Sequence, residues 1–264
     1  MTDLDGFVGR QRELSFLDER LSDAAMGHPQ VVFVEAEAGS GKSTLLSWFL
    51  ALHPDVIALS TSGDEAETLL SFGVMDQLLP GALTEPGADP MGVGAQLVDF
   101  LDQLQNGDKA IVLTIDDVQW ADRLSVRAIL FALRRLRADR VLTIVCARLG
   151  EMNDPGWMRF VAGDARATRL RLEGLGSDDI SLLASAMGLG LLSRSGANRL
   201  AAHTGGNALY CRALLEEIGV AGLSGEHSGL PAPRQLSGVV LSRVASLPTS
   251  TQNFLAAAAV LGQH

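Results

Sequence analysis

The chain has 264 residues, 47% of them hydrophobic, which suffices for one large α/β domain and a smaller second one. Its 21 basic and 31 acidic residues give a net charge of −10, which argues against a nucleic-acid-binding surface. The sequence contains no apolar run of the ~18 residues that a membrane span needs, and its acidic start is unlike a signal peptide. Cys146 and Cys211 lie far apart. These features predict a cytoplasmic protein with reduced thiols and no membrane partner.

The first part of the chain predicts strands that alternate with helices. A helix carries Leu14, Leu17 and Leu21 on one face, and residues 64–79 form a further amphipathic helical pattern that Gly73 interrupts. A loop at 80–90, a helix at 95–105 and a turn at Asn106-Gly107 follow. The predicted strands are 31–34, 57–60, 110–115, 141–147 and 170–172. This alternation predicts an α/β fold with a central parallel five-stranded sheet, covered by helices on both faces.

The stretch from Ala36 to Thr44 lies between the first strand and a helix and has the composition of a phosphate-binding P-loop. Glycines at 39 and 41 would let backbone N–H groups converge on phosphate oxygens. Lys42 would reach the β- and γ-phosphates, and the Ser43 hydroxyl would join a Mg²⁺ shell. Ala36 replaces the first glycine of the usual pattern, which is tolerable if its φ stays negative. A Gly/Ser-rich turn without function is the alternative. The predicted nucleotide-binding residues of the loop are Ala38, Gly39, Ser40, Gly41, Lys42, Ser43 and Thr44.

Charged residues end two further strands. Asp116 and Asp117 follow the strand at 110–115, and Arg148 follows the strand at 141–147. The carboxyl ends of parallel strands share one edge of a sheet, so these side chains would face the nucleotide. We expect Asp116 to hold Mg²⁺, Asp117 to orient or deprotonate the attacking water, and Arg148 to reach the γ-phosphate. A pair of acids in a turn and a surface arginine are the alternatives. The predicted catalytic set is therefore Lys42, Asp117 and Arg148.

Strand patterns stop near residue 176, and helical patterns follow at 180–187, 197–203, 208–220, 235–246 and 249–261. The composition predicts four parts: a P-loop ATPase domain at 1–175, a helical lid subdomain at 176–222, a linker at 223–234 and a last domain that begins at 235–264. The last helix is wholly apolar in its second half, so we expect the chain to be part of a longer protein.

Five motifs together resemble one family: Phe7-Val8-Gly9-Arg10 with Glu13-Leu14, the P-loop, the string Ile115–Asp122, Arg148, and the string Thr204–Tyr210. They are similar to the AAA/NACHT-like nucleotide-binding domain of STAND-class ATPases, as in large LuxR-type and MalT-like bacterial transcriptional regulators. The resemblance implies that Val8, Gly9 and Arg10 line the adenine and ribose, and that Arg148 senses the γ-phosphate. Ala208 stands where the family has a base-contacting proline. Gln119 and Trp120 are expected to shape the loop, and 235–264 to begin a winged helix.

The resemblance implies a regulatory switch that binds ATP or ADP with Mg²⁺ and hydrolyses ATP slowly. The partners would be sensor and DNA-binding domains further along the same protein and, with ATP, further copies of the chain; this chain itself should not bind DNA. The alternative is an AAA-type origin-binding or loader ATPase, which the negative charge and the Gln119-Trp120 pair disfavour. A small-molecule or nucleoside kinase would need a second basic pocket. The basic cluster at Arg134, Arg135, Arg137 and Arg140 is instead expected to be a solvated helical stripe.

Overall fold

The computed structural model describes residues 8–79, 88–105, 107–223, 230–245 and 247–261. Phe7, most of the predicted loop at 80–90, Asn106 and residues 224–229 of the predicted linker lie outside the described residues. The chain divides into two compact units, Met1–Glu173 and Gly174–His264. Among the described residues, no helix combines the length and the apolar character that crossing a membrane requires.

Five parallel strands form the sheet of the first unit, which confirms the predicted fold class. Their order across the sheet is β2-β3-β4-β1-β5, so the strand before the P-loop is internal. In the register, Ala36 at the end of one strand lies beside Arg148 at the end of its neighbour. The carboxyl ends of the central strands therefore meet at one edge. The strands are β1 (Gln30–Ala36), β2 (Ile57–Ser62), β3 (Ile111–Asp116), β4 (Val141–Arg148) and β5 (Ala167–Arg171).

Both faces of this sheet are buried, which explains why its strands read as continuous apolar runs. Val31 and Phe33 of β1 contribute to one core, whereas Val32 and Val34 contribute to another. The second core includes α1 (Gln11–Ala25) and α2 (Lys42–Leu52). The first core includes α3 (Gly73–Leu78), α4 (Pro90–Leu104), α5 (Arg123–Leu133) and α6 (Pro155–Gly163).

The helical pattern predicted over 64–79, interrupted by Gly73, is confirmed only from Gly73 onward. A single 3-10 turn spans Glu65–Glu67, and α3 begins only at Gly73. Leu69, which the amphipathic pattern placed on an apolar face, is 95% exposed. The cause is a tertiary contact: the buried carboxylate of Asp122 accepts hydrogen bonds from the backbone N–H groups of Phe72 and Val74, at 2.9 and 3.4 Å. Those N–H groups are the unpaired donors of a helix start, so this contact places a new helix there.

The second unit is helical in its described residues, and its helices agree with the predicted ones to within a few positions. Ile180, Leu200 and Leu214 are fully buried in it, each on a different helix. Gly219 has φ 61° and ψ 179°, which introduces a kink near the end of α9. The division into lid, linker and winged helix remains a prediction. The helices are α7 (Ser177–Ala186), α8 (Arg194–Thr204), α9 (Ala208–Leu223), α10 (Arg234–Ala245) and α11 (Thr249–Leu261).

Candidate nucleotide-binding site

The glycine-rich loop joins β1 to α2 at the carboxyl edge of the sheet. Gly39 and Gly41 have φ of 77° and 95°, a left-handed backbone that favours glycine at both positions. Ser40 is buried and turns the loop, because its backbone N–H and its hydroxyl both donate to the Glu37 carbonyl, at 3.3 and 2.7 Å. Ala36 is the last residue of β1 and pairs in the sheet, so its methyl group meets no left-handed strain. The loop therefore has the geometry expected of a P-loop despite the missing first glycine.

Lys42 begins α2 and is only 7% exposed. Its ammonium donates hydrogen bonds to the carbonyl oxygens of Ala36 and Glu37, both at 3.1 Å. These bonds hold the positive charge within the loop, where a bound phosphate would compete with the two carbonyls. Ala38 at the crest of the loop is exposed, as are Ser43 and Thr44 in the first turn of α2. The loop thus presents backbone and hydroxyl groups outward over a buried cation.

Ser43 and Asp116 come from different elements and meet at the strand edge. The Ser43 hydroxyl donates to Asp116 Oδ2 at 2.5 Å, across a sequence separation of 73 residues. Asp116 Oδ1 accepts the backbone N–H of Asp117 at 2.9 Å, which fixes the carboxylate plane. A hydroxyl and a carboxylate side by side are oxygen ligands of the kind that Mg²⁺ shares with nucleotide phosphates. The two residues therefore fit the predicted metal position.

Asp117 follows Asp116 with φ and ψ both at 45°, a left-handed conformation uncommon outside glycine. Its Oδ1 accepts the Gln119 side-chain amide at 2.7 Å. The Arg148 guanidinium lies close by, with Nε 4.0 Å from Asp117 Oδ1 and Nη1 3.9 Å from Glu151 Oε2. It also lies over the Trp120 ring, 5.5 Å from the ring centroid. Asp117 and Arg148, two of the three predicted catalytic residues, are thus neighbours in a small charged cluster at the ends of β3 and β4.

The segment Val8–Arg10 approaches the loop from the amino-terminal side. Gly9 is buried, Val8 is half-buried, and Gly9 and Arg10 both have positive φ, 70° and 67°. The Arg10 guanidinium donates to the Ser40 carbonyl at 3.2 Å and to Glu13 Oε1 at 3.0 Å. This contact joins the predicted adenine-binding segment directly to the P-loop.

Ala208, the predicted base contact, belongs to the second unit and is the first residue of α9. The turn before it is formed by Gly205 and Gly206, with φ of 61° and 72°. The Asn207 side chain accepts the backbone N–H groups of residues 209 and 210 at 3.2 and 3.3 Å, which caps α9. The turn has a structural role within its unit, and a contact from Ala208 to a base remains a prediction.

Two residues of the site were missed or undervalued by sequence reasoning. Asp122 caps α5 by accepting the N–H groups of Leu124 and Ser125, at 3.1 and 2.9 Å, in addition to its contacts with the start of α3. An aspartate before an apolar helical pattern is an N-cap signal that the sequence does contain. Gln119 was expected only to shape the loop, yet its amide contacts both Asp117 and the backbone of Arg148. No sequence pattern indicates that second contact.

Cys146 lies in β4, one strand from Asp116, and is fully buried. Burial, and secondarily the charge of Asp116, raises the pKa of its thiol well above the usual value. The thiol therefore stays protonated and acts as a small apolar side chain beneath the P-loop helix.

Comparisons with known proteins place this geometry in a family. No curated protein matches the chain. Among solved structures, the chain is similar to Aeropyrum pernix ORC1 in complex with DNA, with 15% identity over 93% of this chain and 70% of that one and a TM-score of 0.56. It is also similar to Pyrobaculum aerophilum Cdc6p (17% identity, 80% and 61% coverage, TM-score 0.53). A third is Aeropyrum pernix ORC2 in ADPNP and ADP complexes (15% identity, 81% and 64% coverage, TM-score 0.52).

These likenesses show a shared fold, and the chain spans less than two thirds of the length of Cdc6p and ORC2. The family evidence comes from the sequence itself. Residues 6–145, which include the P-loop and the pair Asp116-Asp117, match the family described as AAA ATPase domain. The chain therefore belongs to the AAA ATPase domain family.

Proposed function

We propose that this chain is the nucleotide-dependent switch of a signal-responsive transcriptional regulator, and that it binds ATP or ADP with Mg²⁺ and hydrolyses ATP slowly. The observation that carries nucleotide binding is the joint placement of Lys42 in its loop and of Ser43 against Asp116. The STAND-like motifs, above all Ile115–Asp122, are the reason for proposing a regulator. The sensor, DNA-binding and oligomer contacts would belong to the full-length protein, in the cytoplasm.

Each residue then has a defined task. Lys42 and the loop N–H groups bind the phosphates, while Ser43 and Asp116 would hold Mg²⁺, which would supply positive charge against the negative charge that develops in phosphoryl transfer. Asp117 orients the attacking water and accepts its proton. Val8, Gly9 and Arg10 contact the adenosine. Lys42 has three ammonium N–H donors, and two of them bond the Ala36 and Glu37 carbonyls, so a phosphate would accept the third or compete for the other two.

The contacts of Arg148 support a switch in preference to continuous turnover. Its guanidinium lies between the carboxylates of Asp117 and Glu151, at about equal distances of 4.0 and 3.9 Å. A γ-phosphate would be a third, more strongly charged partner, whereas ADP offers none at that position. Arg148 would therefore change partners only with ATP, and such differential binding is what a nucleotide switch requires.

An origin-binding or loader ATPase is the second candidate, because the fold likeness to the DNA-bound ORC1 structure covers 93% of this chain. The net charge of −10 disfavours this candidate. Duplex DNA binding by this chain at physiological salt would favour it over the regulator.

The first test is Lys42→Ala. Each charge-assisted phosphate contact is worth ~1.5–3 kcal/mol, so ADP affinity should fall at least about tenfold. Isothermal titration calorimetry measures the change. The matched control is Lys109→Ala, which removes the chain's other lysine from an exposed position just before β3. The control should bind ADP like the wild type; unchanged ADP affinity in Lys42→Ala would contradict the assignment of the P-loop.

A further inference from the structure

Gln119 links two parts of the site through one side-chain amide. Its Nε2 donates to Asp117 Oδ1 at 2.7 Å, and its Oε1 accepts the backbone N–H of Arg148 at 3.1 Å. The first contact is local, two residues away, whereas the second spans 29 residues and reaches the last residue of β4. One side chain therefore connects the proposed water-activating carboxylate to the rigid centre of the sheet.

The orientation of this amide follows from its partners. A backbone N–H can only donate, so the amide oxygen must face Arg148. The NH₂ group then faces Asp117, where an ionised carboxylate can only accept. Both ends of the amide are satisfied in this orientation and neither in the flipped one, so the two contacts specify a single orientation of the amide.

The backbone of Asp117 is strained in the same place. Its φ of 45° is unfavourable for a residue other than glycine, and such strain is common at functional sites. The Gly63 backbone packs closely against this residue, since a Cβ added to Gly63 would lie 2.6 Å from the Asp117 carbonyl oxygen. The Asp117 backbone therefore has no room to relax on that side. Within the described part of the chain, hydrogen bonds to the Asp117 carboxylate reach Oδ1 only, and Oδ2 stays available as an acceptor.

We propose that Gln119 is a positioning residue that holds Asp117 Oδ1 against the end of β4 and so presents Oδ2 to the attacking water. This inference rests on the proposed ATP hydrolysis. Without the amide, the carboxylate is free to turn toward Arg148, whose Nε is already 4.0 Å from Oδ1. A closer ion pair between Asp117 and Arg148 would engage both side chains, and the Asp117 carboxylate would no longer face the attacking water.

The chain offers a matched control in Gln105. Its Oε1 accepts the backbone N–H of Arg140 at 2.6 Å, and its Nε2 contacts Asp139 Oδ1 at 3.3 Å. The same amide arrangement thus occurs just before β4 begins, whereas Gln119 lies where β4 ends. Replacing either glutamine by leucine removes a bond to a backbone N–H and a bond to an aspartate, at opposite ends of one strand; Gln105→Leu also removes a bond from Nε2 to the Leu101 carbonyl at 3.3 Å.

The experiment compares Gln119→Leu and Gln105→Leu in single-turnover ATP hydrolysis at saturating nucleotide, with ADP affinity and thermal stability measured in parallel. Loss of a hydrogen bond to a charged group should lower the hydrolysis rate of Gln119→Leu about 10- to 100-fold, with ADP affinity within about twofold of wild type. Gln105→Leu should keep the wild-type hydrolysis rate, although its loss of thermal stability should be comparable to that of Gln119→Leu. Gln119→Glu keeps the acceptor for Arg148 but puts a second anion beside Asp117, so it should be at least as slow as Gln119→Leu.

Three outcomes would overturn the positioning role: a wild-type rate in Gln119→Leu, an equal rate loss in both leucine variants, or a loss of ADP affinity in proportion to the rate. Failure of the proposed function appears differently. Two results in chains that keep Gln119 would refute the proposed site itself: a wild-type chain that binds no nucleotide, or an Asp117→Asn variant with the wild-type hydrolysis rate. The positioning role of Gln119 would then fail together with the site.

Discussion

At the scale of single residues, the charged groups of the site already have partners within the protein. Lys42 bonds two loop carbonyls, Ser43 bonds Asp116, and Arg148 lies beside Asp117 and Glu151. Nucleotide binding would therefore compete with existing contacts, and its net free energy would be smaller than the sum of the new contacts. In the proposed site these groups face different parts of the nucleotide, so the contribution of each residue should be separable.

Arg148→Ala should distinguish ATP from ADP. The guanidinium can form two parallel hydrogen bonds to γ-phosphate oxygens, and ADP lacks that group. We expect a loss of ~1–3 kcal/mol in the affinity for a non-hydrolysable ATP analogue, with ADP affinity within about twofold of wild type. Paired calorimetric titrations on wild type and variant measure both. Equal losses for the two nucleotides would assign Arg148 to the fold or to the β-phosphate.

The two adjacent carboxylates should have separable roles. Asp117→Asn should keep nucleotide affinity but slow ATP hydrolysis, about 10- to 100-fold or more, because an amide is a poor proton acceptor. Asp116→Asn should weaken the Mg²⁺-dependent part of nucleotide binding, since Asp116 contacts Ser43 at the metal position. Titrations with Mg²⁺ and with EDTA, together with hydrolysis assays, test both variants. If Asp116→Asn slowed hydrolysis and Asp117→Asn weakened the Mg²⁺-dependent binding, the roles assigned to the two aspartates would have to be exchanged.

At the scale of elements, Asp122 is the junction between α3 and α5. It is 4% exposed and accepts two N–H groups from its own helix start and two from the start of α3. The Ser125 hydroxyl reinforces the junction by accepting the N–H of Met75 at 3.0 Å. The last aspartate of the string Ile115–Asp122 therefore has a structural task, whereas the first two aspartates of that string lie in the candidate nucleotide site.

Asp122→Ala should lower the free energy of unfolding by about 2–4 kcal/mol, because an N-cap is lost and further buried N–H groups are left unpaired. Asp122→Asn keeps an acceptor oxygen in the same position and should lose clearly less. Urea denaturation monitored by circular dichroism compares the two, and ADP titration of the folded variants serves as a control for the site. Equal stability of Asp122→Ala and wild type would contradict the junction.

At the scale of the whole molecule, the charge distribution limits the partners. The basic cluster at 134–140 follows the end of α5, so the predicted helical stripe is wrong. Arg135 stacks on Phe131, and the Arg140 guanidinium donates to the Gln105 carbonyl at 3.3 Å. Part of this positive charge is thus engaged within the protein, and the chain as a whole carries a net charge of −10.

We therefore expect this chain not to bind duplex DNA at physiological salt, with no mobility shift up to about 10 μM protein. Nucleic-acid affinity depends on phosphate neutralisation by a basic surface, and the net charge opposes it. The measurement is a mobility-shift assay with and without ATP, repeated at low salt. Micromolar binding that weakens as salt rises would contradict this expectation and favour the origin-binding alternative.

The sequence by itself determined the fold class and the predicted chemistry of the site. The apolar runs, the P-loop between strand and helix, and the acids and arginine at strand ends are local patterns, and local patterns report local structure. The confirmed parallel sheet follows from them, because strands that alternate with helices have few other ways to bury both sheet faces. The placement of Ala36 in a strand shows why the deviation from the usual glycine pattern is tolerated.

The tertiary structure alone decided which distant groups touch. The predicted pattern at 64–79 is helical only from Gly73, where the Asp122 carboxylate, some 50 residues away, accepts the N–H groups of Phe72 and Val74. Gln119 reaches Arg148 because β3 and β4 are neighbours in the sheet, an order that the strand patterns do not encode. Hydrogen bonds between residues far apart in sequence depend on strand order and register, which the packing of the whole unit determines. Periodicity within one segment contains no information about either.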